Sequence, residues 1–345
     1  MNSAAKKYGI VGATGVVGLS FIRLLEKKQI PVADLRLFAS EDSKGKIIRC
    51  QNRDYQVQVL TPGCFKGLDI VFFSSGDDIS KEWAPRAVSE GAWAIDNSAA
   101  FRMDSSKHLV VPEVNGHLLK EGQGPQLIAN PNCSTIQLVV PLKALSDEFG
   151  LEDVKVSTYQ SVSGAGLPGM NELLSQMRQW SQKPEGIEDI DWANHLENKQ
   201  FTHPILFNCI PQIGSFNDQG FCSEEVKVMN ETRKILGLPH LKVSAFTVRI
   251  PALISHSEAV WVRLKKTATR DQVLQTLKKF KGLEVSESMN DSQFPTALKA
   301  SHKDPVYVGR IHQDPNDAQT WMMWIVADNV MKGAALNGLQ IAQMI

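Results

Sequence analysis

The stretch KKYGIVGATGVVGLSFIRLLEKKQI, from Lys6 to Ile30, leaves the chain little choice of fold. A short apolar run ends in Gly12, and Gly15 and Gly18 follow at intervals of three before an apolar stripe of helical period begins. That pattern predicts strand, tight turn and helix, the opening unit of a parallel sheet wound on both faces. A turn this tight lets backbone N–H groups at the helix start face a pyrophosphate. The spacing is GxxGxxG rather than GxGxxG, so a glycine-rich turn that holds no ligand satisfies it too.

Further β/α alternation follows. DLRLFAS and LDIVFFSS read as buried parallel strands, and AWAIDNS and QLIANP as two more. ISKEWAPRAVSEG reads as a helix broken or kinked at Pro85. Together they predict an α/β, doubly wound Rossmann-type domain with ligands at the carboxyl ends of its strands, where Ser74, Asn97 and Asn130 fall. Past residue 150 the texture changes. EDVKVSTYQSVSGAG, KVSAFTVRIPAL, HSEAVWVRL and WMMWIVAD are long, partly alternating strands. They predict a mainly antiparallel sheet, interrupted by helices near 169–180, 223–236 and 269–280. The polar segment 181–200 reads as a surface excursion, and NVMKGAALNGLQIAQMI as an amphipathic helix packing back on the first domain. A chain of 345 residues is expected to form about two domains: 1–132 with 328–345, and an α+β domain over 133–327.

The charges narrow the partners. The chain carries 37 basic and 37 acidic residues, a balance that argues against a nucleic-acid or membrane surface. No apolar run is long enough to span a bilayer, and MNSAAKKYGI lacks the apolar core of a secretory signal. Five cysteines, at 50, 64, 133, 209 and 222, are an odd count and read as reduced thiols in a cytoplasm. No CxxC or HxxxH spacing suggests a metal site.

NPNCST, Asn130 to Thr135, sets a thiol into this frame. Pro131 ends a strand, Asn132 is a good N-cap, and the apolar run TIQLVVPLKAL follows. The pattern predicts a helix from about Cys133 to Phe149, ended by Gly150. Cys133 then falls in the first helical turn, where free N–H groups and the helix dipole favour a thiolate. An inert buried cysteine, the common fate of a free thiol, fits the position equally.

Other segments offer polar groups at strand ends: STYQSVSGAG brings Gln160, Ser163 and Gly164; TVRIPALISHSE brings Arg249 and His256; DNSAAFR brings Arg102. In SEEVKVMNETRKILG, Ser223 reads as an N-cap and Gly237 as the stop, with Glu224 and Lys227 on one face. Singly, each has an ordinary structural account: a solvated ion pair, a structural histidine, surface arginines, a polar strand end. Together with GIVGATGVVG, VPEVN, NPNCST, FNCIPQIG and DNVMKGAALN, these segments resemble, in order and along nearly the whole chain, the aspartate-semialdehyde dehydrogenase family.

The resemblance implies an NADP-dependent oxidoreductase that converts L-aspartyl-4-phosphate to L-aspartate 4-semialdehyde and phosphate, a step toward lysine, threonine, methionine and isoleucine. It implies that Cys133 is the nucleophile forming a thioacyl enzyme, that His256 is the general acid/base, and that Gln160 orients the substrate. It implies Arg249, Glu224 and Asn132 at the amino-acid portion and Arg102 and Lys227 at the phosphate. Gly12, Thr14, Gly15, Val16, Val17, Ser40, Ser74, Ser163, Gly164 and Asn329 are the implied cofactor contacts. The partners implied are a small-molecule substrate, inorganic phosphate and a second copy of the chain, as homodimer or homotetramer, with 133–327 as the catalytic and dimerisation domain.

Two residues depart from the family pattern. Ser255 stands where members commonly have glycine before the histidine, and Asp42 stands where many carry an arginine near the adenosine 2′-phosphate. Asp42 leaves NAD open as a cofactor beside NADP. The rival of the same architecture is N-acetyl-glutamyl-phosphate reductase, which tends to have glycine where this chain has Asn132; a rival of another class is a non-catalytic paralogue, expected to have lost the nucleophile or the histidine.

Overall fold

The computed structural model of the chain describes residues 4–119, 122–182, 187–288 and 292–345. It divides into two compact units, Met1–Cys133 with Gly333–Ile345, and Ser134–Lys332.

The first unit begins with β1 (Lys6–Val11), the glycine turn and α1 (Val16–Lys27). The glycines are fixed by space. Gly12 has φ +81°, and a Cβ there would stand 2.7 Å from the carbonyl oxygen of Ser74. A Cβ on Gly18 would lie 2.2 Å from the carbonyl oxygen of Gly12, so the helix cannot start this close to the strand with any side chain there. The chain goes on through β2 (Val32–Phe38), β3 (Ile47–Cys50), β4 (Arg53–Gln58), β5 (Ile70–Phe73), α2 (Asp77–Ser89), β6 (Trp93–Asp96), β7 (His108–Leu109), α3 (Pro112–Asn115) and β8 (Leu127–Ala129). Among the described residues these strands form one sheet in the order β3-β4-β2-β1-β5-β6-β8-β7, parallel except between β3 and β4. Every residue of β5 is buried, as a strand covered on both faces must be.

Two local readings change. The β3–β4 hairpin was not expected; it turns on Gln51 and Asn52, both at positive φ, a pair less telling than Asn-Gly. Nor does Pro85 break α2, which runs on to Ser89. Pro85 is on the exposed side, where the carbonyl left without its N–H partner can turn to water.

From its second residue on, α4 (Cys133–Phe149) opens the second unit; it is buried along most of its length and ended by Gly150 at φ +72°. Then come β9 (Leu151–Gln160), α5 (Gly166–Ser181), α6 (Ser223–Leu236), β10 (Lys242–Arg249), β11 (His256–Leu264), α7 (Arg270–Lys279), β12 (Leu283–Val285), α8 (Ala297–Ala300), β13 (Val306–Asp314) and β14 (Asp317–Ala327). The sheet order is β10-β9-β11-β14-β13-β12; the centre is antiparallel, and each edge strand runs parallel to its neighbour. The segment 181–200, of which 183–186 lie outside the described residues, is more than a surface excursion. Ala193 and Leu196 join Val162, Leu173, Ile205, Leu206 and Ile210 in a small core of their own, flanked by Trp180 and Trp192.

The last helix, α9 (Leu336–Ala342), belongs to the first unit, preceded by a π-turn over Met331–Ala335. It is not amphipathic as expected. Six of its residues are buried, Asn337 and Gly338 among them, because the helix is enclosed on several sides by α1, α3 and β6.

Candidate active site

The first unit contributes two neighbouring features. At the glycine turn, the amides of Gly12 and Ala13 donate to the carbonyl of Phe38 at 2.8 and 3.0 Å, pinning the turn across the end of β2. Ser74 Oγ donates to the carbonyl of Val11 at 2.9 Å and lies 3.3 Å from that of Gly12. Gly15 is the N-cap of α1, and no side chain caps the helix's first amides. Thr14, Val16 and Val17 complete this cradle. Ser40 caps the short turn Glu41–Ser43 after β2; Asp42 is exposed and Ser43 buried. Lys46 Nζ donates to Ser43 Oγ at 3.1 Å, and that oxygen lies 3.5 Å from Thr14 Oγ1. Uncapped amides behind glycines that admit no Cβ, with a lysine and hydroxyls beside them, fit a dinucleotide.

The second feature lies at the ends of β6 and β8, adjacent in the sheet. Asn130 Nδ2 donates to Asn97 Oδ1 at 2.7 Å, and Asn337 Nδ2 donates to Asn130 Oδ1 at 2.7 Å. The Arg102 guanidinium, buried here, donates from Nε to the carbonyl of Asn130 at 3.0 Å and from Nη2 to that of Asn97 at 2.8 Å. This lattice anchors the NPNCST turn, with Asn132 buried and Cys133 at the first position of α4. A Cβ on Gly333 would come within 2.8 Å of Cys133 Cβ, so only glycine lets the π-turn approach the thiol-bearing residue.

In the second unit the sheet register builds a polar row. Arg249 on β10 stands opposite Gln160 on β9; the β9–β11 register sets Ser257 against Tyr159, and His256 and Gln160 are the residues next to that pair. All three are buried. Thr158 Oγ1 donates to Gln160 Oε1 at 3.0 Å, which orients the amide so that Nε2 donates to Glu224 Oε1 at 3.1 Å. Glu224 is placed by its neighbour: the buried Glu225 carboxylate accepts from the amides of Cys222 at 2.9 Å and Thr247 at 3.0 Å, tying the start of α6 to β10. That makes Cys222, not Ser223, the N-cap of α6. Lys227 Nζ lies 3.5 Å from Glu224 Oε2, a pair with one buried member rather than a solvated one.

Behind the row, Ser161 and Ser163 share a hydroxyl contact of 2.9 Å, and Asn329 Oδ1 lies 2.9–3.2 Å from the Ser255 amide and both hydroxyls. His256 Nδ1 accepts from the amide of Ser161 at 3.0 Å. Its Nε2 is buried without a partner among the described residues. Burial, reinforced by the Arg249 guanidinium, pushes the imidazole down to about 3, against the opposing pull of the Glu224 carboxylate. One step further along the same sheet face, Glu258 is fully buried, and desolvation holds its carboxyl well above the usual range. The Gln137 amide approaches it without a well-formed hydrogen bond.

Sequence reasoning therefore finds the row and the thiol but misses several groups that hold them. Ser161, Glu225, Glu258, Gly333 and Asn337 lie within the segments that carry the resemblance and Gln137 in the apolar run after Cys133, but nothing there assigns them a role; only the alternation that puts Glu258 on the face of His256 was available.

The chain matches the family model described as "Semialdehyde dehydrogenase, NAD binding domain" over residues 7–122, and "Semialdehyde dehydrogenase, dimerisation domain" over residues 142–332. It is 42% identical to the aspartate-semialdehyde dehydrogenase of Aquifex aeolicus over 98% of this chain and 97% of that one. The solved structure of aspartate semialdehyde dehydrogenase II from Vibrio cholerae, complexed with ASA, superposes with a TM-score of 0.92 at 40% identity, covering 99% of this chain and 98% of that one. That of the Candida albicans enzyme with NADP gives a TM-score of 0.71 at 25% identity, again covering 99% and 98%.

Proposed function

The chain belongs to the aspartate-semialdehyde dehydrogenase family, and from that premise we propose that it reduces L-aspartyl-4-phosphate to L-aspartate 4-semialdehyde, releasing phosphate, by way of a thioacyl enzyme on Cys133. One observation carries the reading: a guanidinium, an amide and an imidazole stand in one buried row, with His256 Nε2 unpartnered among the described residues. A row of that kind in a soluble enzyme is a place for a small polar substrate rather than a packing core.

In this reading Cys133, in the first turn of α4, attacks the acyl carbon and phosphate leaves. Arg249 holds the substrate's α-carboxylate with a planar fork, and Glu224 its ammonium, while Gln160, fixed by Thr158, orients the acyl group. Asn132 lies beside the thiol on the same turn. Arg102 and Lys227 serve the phosphate. NADPH supplies the hydride when bound, held by Gly12, Thr14, Gly15, Val16 and Val17, with Ser40 and Ser74 at the neighbouring strand ends and Ser163, Gly164 and Asn329 on the side of the histidine. His256 meets the substrate through Nε2. The working form is a dimer of this chain.

The test is phosphate-dependent reduction of NADP with L-aspartate 4-semialdehyde. Turnover is expected, and Cys133→Ala is expected to lower it by more than about 10³-fold. No turnover, turnover only with N-acetyl-glutamate semialdehyde, or an active Cys133→Ala protein would each overturn the proposal.

A further inference from the structure

Arg249 is held from several directions within the second unit. Its Nη1 donates to the carbonyl of Ser161 at 2.7 Å, and a Cβ on Gly164 would stand 2.7 Å from the same nitrogen, so the turn after β9 closes on one end of the guanidinium. Its backbone pairs with that of Ile210, amide to carbonyl in both directions, at 2.8 and 2.9 Å. A third group meets the plane of the fork: Cζ lies over the Phe201 ring, 6.0 Å from the ring centroid. A contact on the face of a guanidinium uses none of its N–H donors and, unlike a carboxylate partner, leaves its charge in place.

The segment that carries Phe201 is fastened on both sides of it by two side chains one turn apart on α5. Glu172 accepts the amides of Lys199 and Gln200 on one carboxylate oxygen, each at 2.7 Å. Gln176, buried, donates to the carbonyl of Glu197 at 2.9 Å and accepts from the amides of Ile205 at 3.0 Å and Leu206 at 2.9 Å. Phe201 itself accepts from Asn198 Nδ2 at 2.9 Å through its carbonyl, and its ring packs on the small core that holds Val162, Leu173 and Ile205. α5 backs the ring closely: a Cβ on Gly169 would stand 3.1 Å from Phe201 Cζ. A connecting segment is ordinarily the mobile part of a fold. This one is tied before and after a single aromatic residue, and it runs on to Ile210, the backbone partner of Arg249.

We propose that Phe201 is a positioning residue for Arg249: its ring fixes the plane of the guanidinium in the orientation that receives the α-carboxylate of the substrate. This rests on the role proposed above for Arg249. A guanidinium on a long stem must be ordered when a carboxylate arrives, and a ring that orders it beforehand removes part of that cost from binding. The ring acts through its negative π face, which attracts the cation without competing for the N–H edge that a carboxylate takes. It has no group that exchanges a proton or binds phosphate, so its effect falls on the amino-acid portion of the substrate alone.

The experiment replaces Phe201 site-specifically with mono-, tri- and pentafluorophenylalanine, which drain the π face stepwise while nearly keeping the shape of the ring. Kinetics are measured in the phosphate-dependent direction with L-aspartate 4-semialdehyde. The KM for the semialdehyde is expected to rise with each step, to about 5-fold for the pentafluoro ring, while kcat and the KM values for phosphate and NADP stay within about 2-fold. Phe201→Leu is expected to raise the semialdehyde KM at least as far, and Phe201→Tyr to recover most of that loss. In an Arg249→Leu background the fluorine series is expected to leave kcat/KM flat, because no cation faces the ring. A semialdehyde KM indifferent to fluorine, or a fluorine effect that persists without Arg249, would overturn the inference while the proposed activity stands. A rise confined to the phosphate KM would overturn both the inference and the role of Arg249, and a parent protein without turnover would overturn the proposed activity and this inference with it.

Discussion

Ser255 has φ +75°, in the region that L side chains enter at a cost of roughly 1–2 kcal/mol. The position precedes His256, and its amide is spent on Asn329 Oδ1 at 2.9 Å, so the surrounding network imposes the angle. The family's glycine at this place therefore has a backbone reason, and the serine here is a strained substitute whose Oγ gains only a 3.2 Å contact with Ser301. Ser255→Gly is expected to raise stability by about 0.5–1 kcal/mol after the glycine's extra freedom in the unfolded chain is deducted. In thermal unfolding that is an increase of roughly 2 °C in Tm; a decrease would show that the Ser301 contact outweighs the strain.

At the scale of elements, the two rows on the inner face of the second sheet titrate in opposite senses. Glu258 lies in the deeper row, opposite Thr158 on β9 and Ile325 on β14, with its carboxyl kept uncharged by burial. Its native proton affinity is raised, so between the ordinary carboxylate value of about 4.3 and its native value the folded chain holds a proton that the unfolded chain has released. Stability from this group is complete below that ordinary value and is lost as pH rises. Glu258→Gln removes the ionisation and keeps the shape. Its Tm relative to the parent is expected to climb from pH 5 to pH 8, and parallel curves would mean that the carboxyl is charged in the native state. The turn after β2 makes a second element-scale case. Asp42 is exposed, which weakens its repulsion of a 2′-phosphate, while Lys46 reaches Ser43 beside Thr14. Lys46→Ala is expected to lower kcat/KM for NADP relative to NAD about 10-fold, a cost near 1.4 kcal/mol. An unchanged ratio would place the 2′-phosphate elsewhere. These elements also show what a sequence discloses. Strands whose burial follows from apolar runs, the glycine turn and the start and stop of α4 were legible, because local sterics and capping fix them. The Ser161 clamp, the Glu225 tie and the Glu258–Gln137 approach were not, because they exist only once strand register and helix docking bring distant residues together.

For the whole molecule, the outer face of the second sheet is the surface expected to govern assembly. An antiparallel sheet with one face on solvent alternates apolar-in and polar-out. Here β11 and β14 are half-buried, not polar, at Ala259, Trp261, Met322 and Trp324 on that outer side, and Phe246 on β10 is 55% exposed. Trp261 pairs directly with Met322 across the strands, and Tyr159 and Trp324 approach at 5.4 Å between ring centroids. An apolar cluster of this size on one sheet face is a surface that another protein is expected to cover. The matching family model is described as a dimerisation domain, and the sheet presents the same residues on every copy, as a two-fold interface requires. Trp261 and Met322 sit mid-strand, where desolvated anchors contribute most, about 2 kcal/mol each or near 30-fold in Kd. The pair Trp261→Glu and Met322→Glu sets two like charges opposite each other on that face while the inner row keeps its contacts. Sedimentation equilibrium at micromolar concentration is expected to give a dimer for the parent and a monomer for the double variant, with far-ultraviolet circular dichroism unchanged. A double variant that still sediments as a dimer would move the interface off this face, and one that loses its secondary structure would show that the sheet depends on its partner for folding.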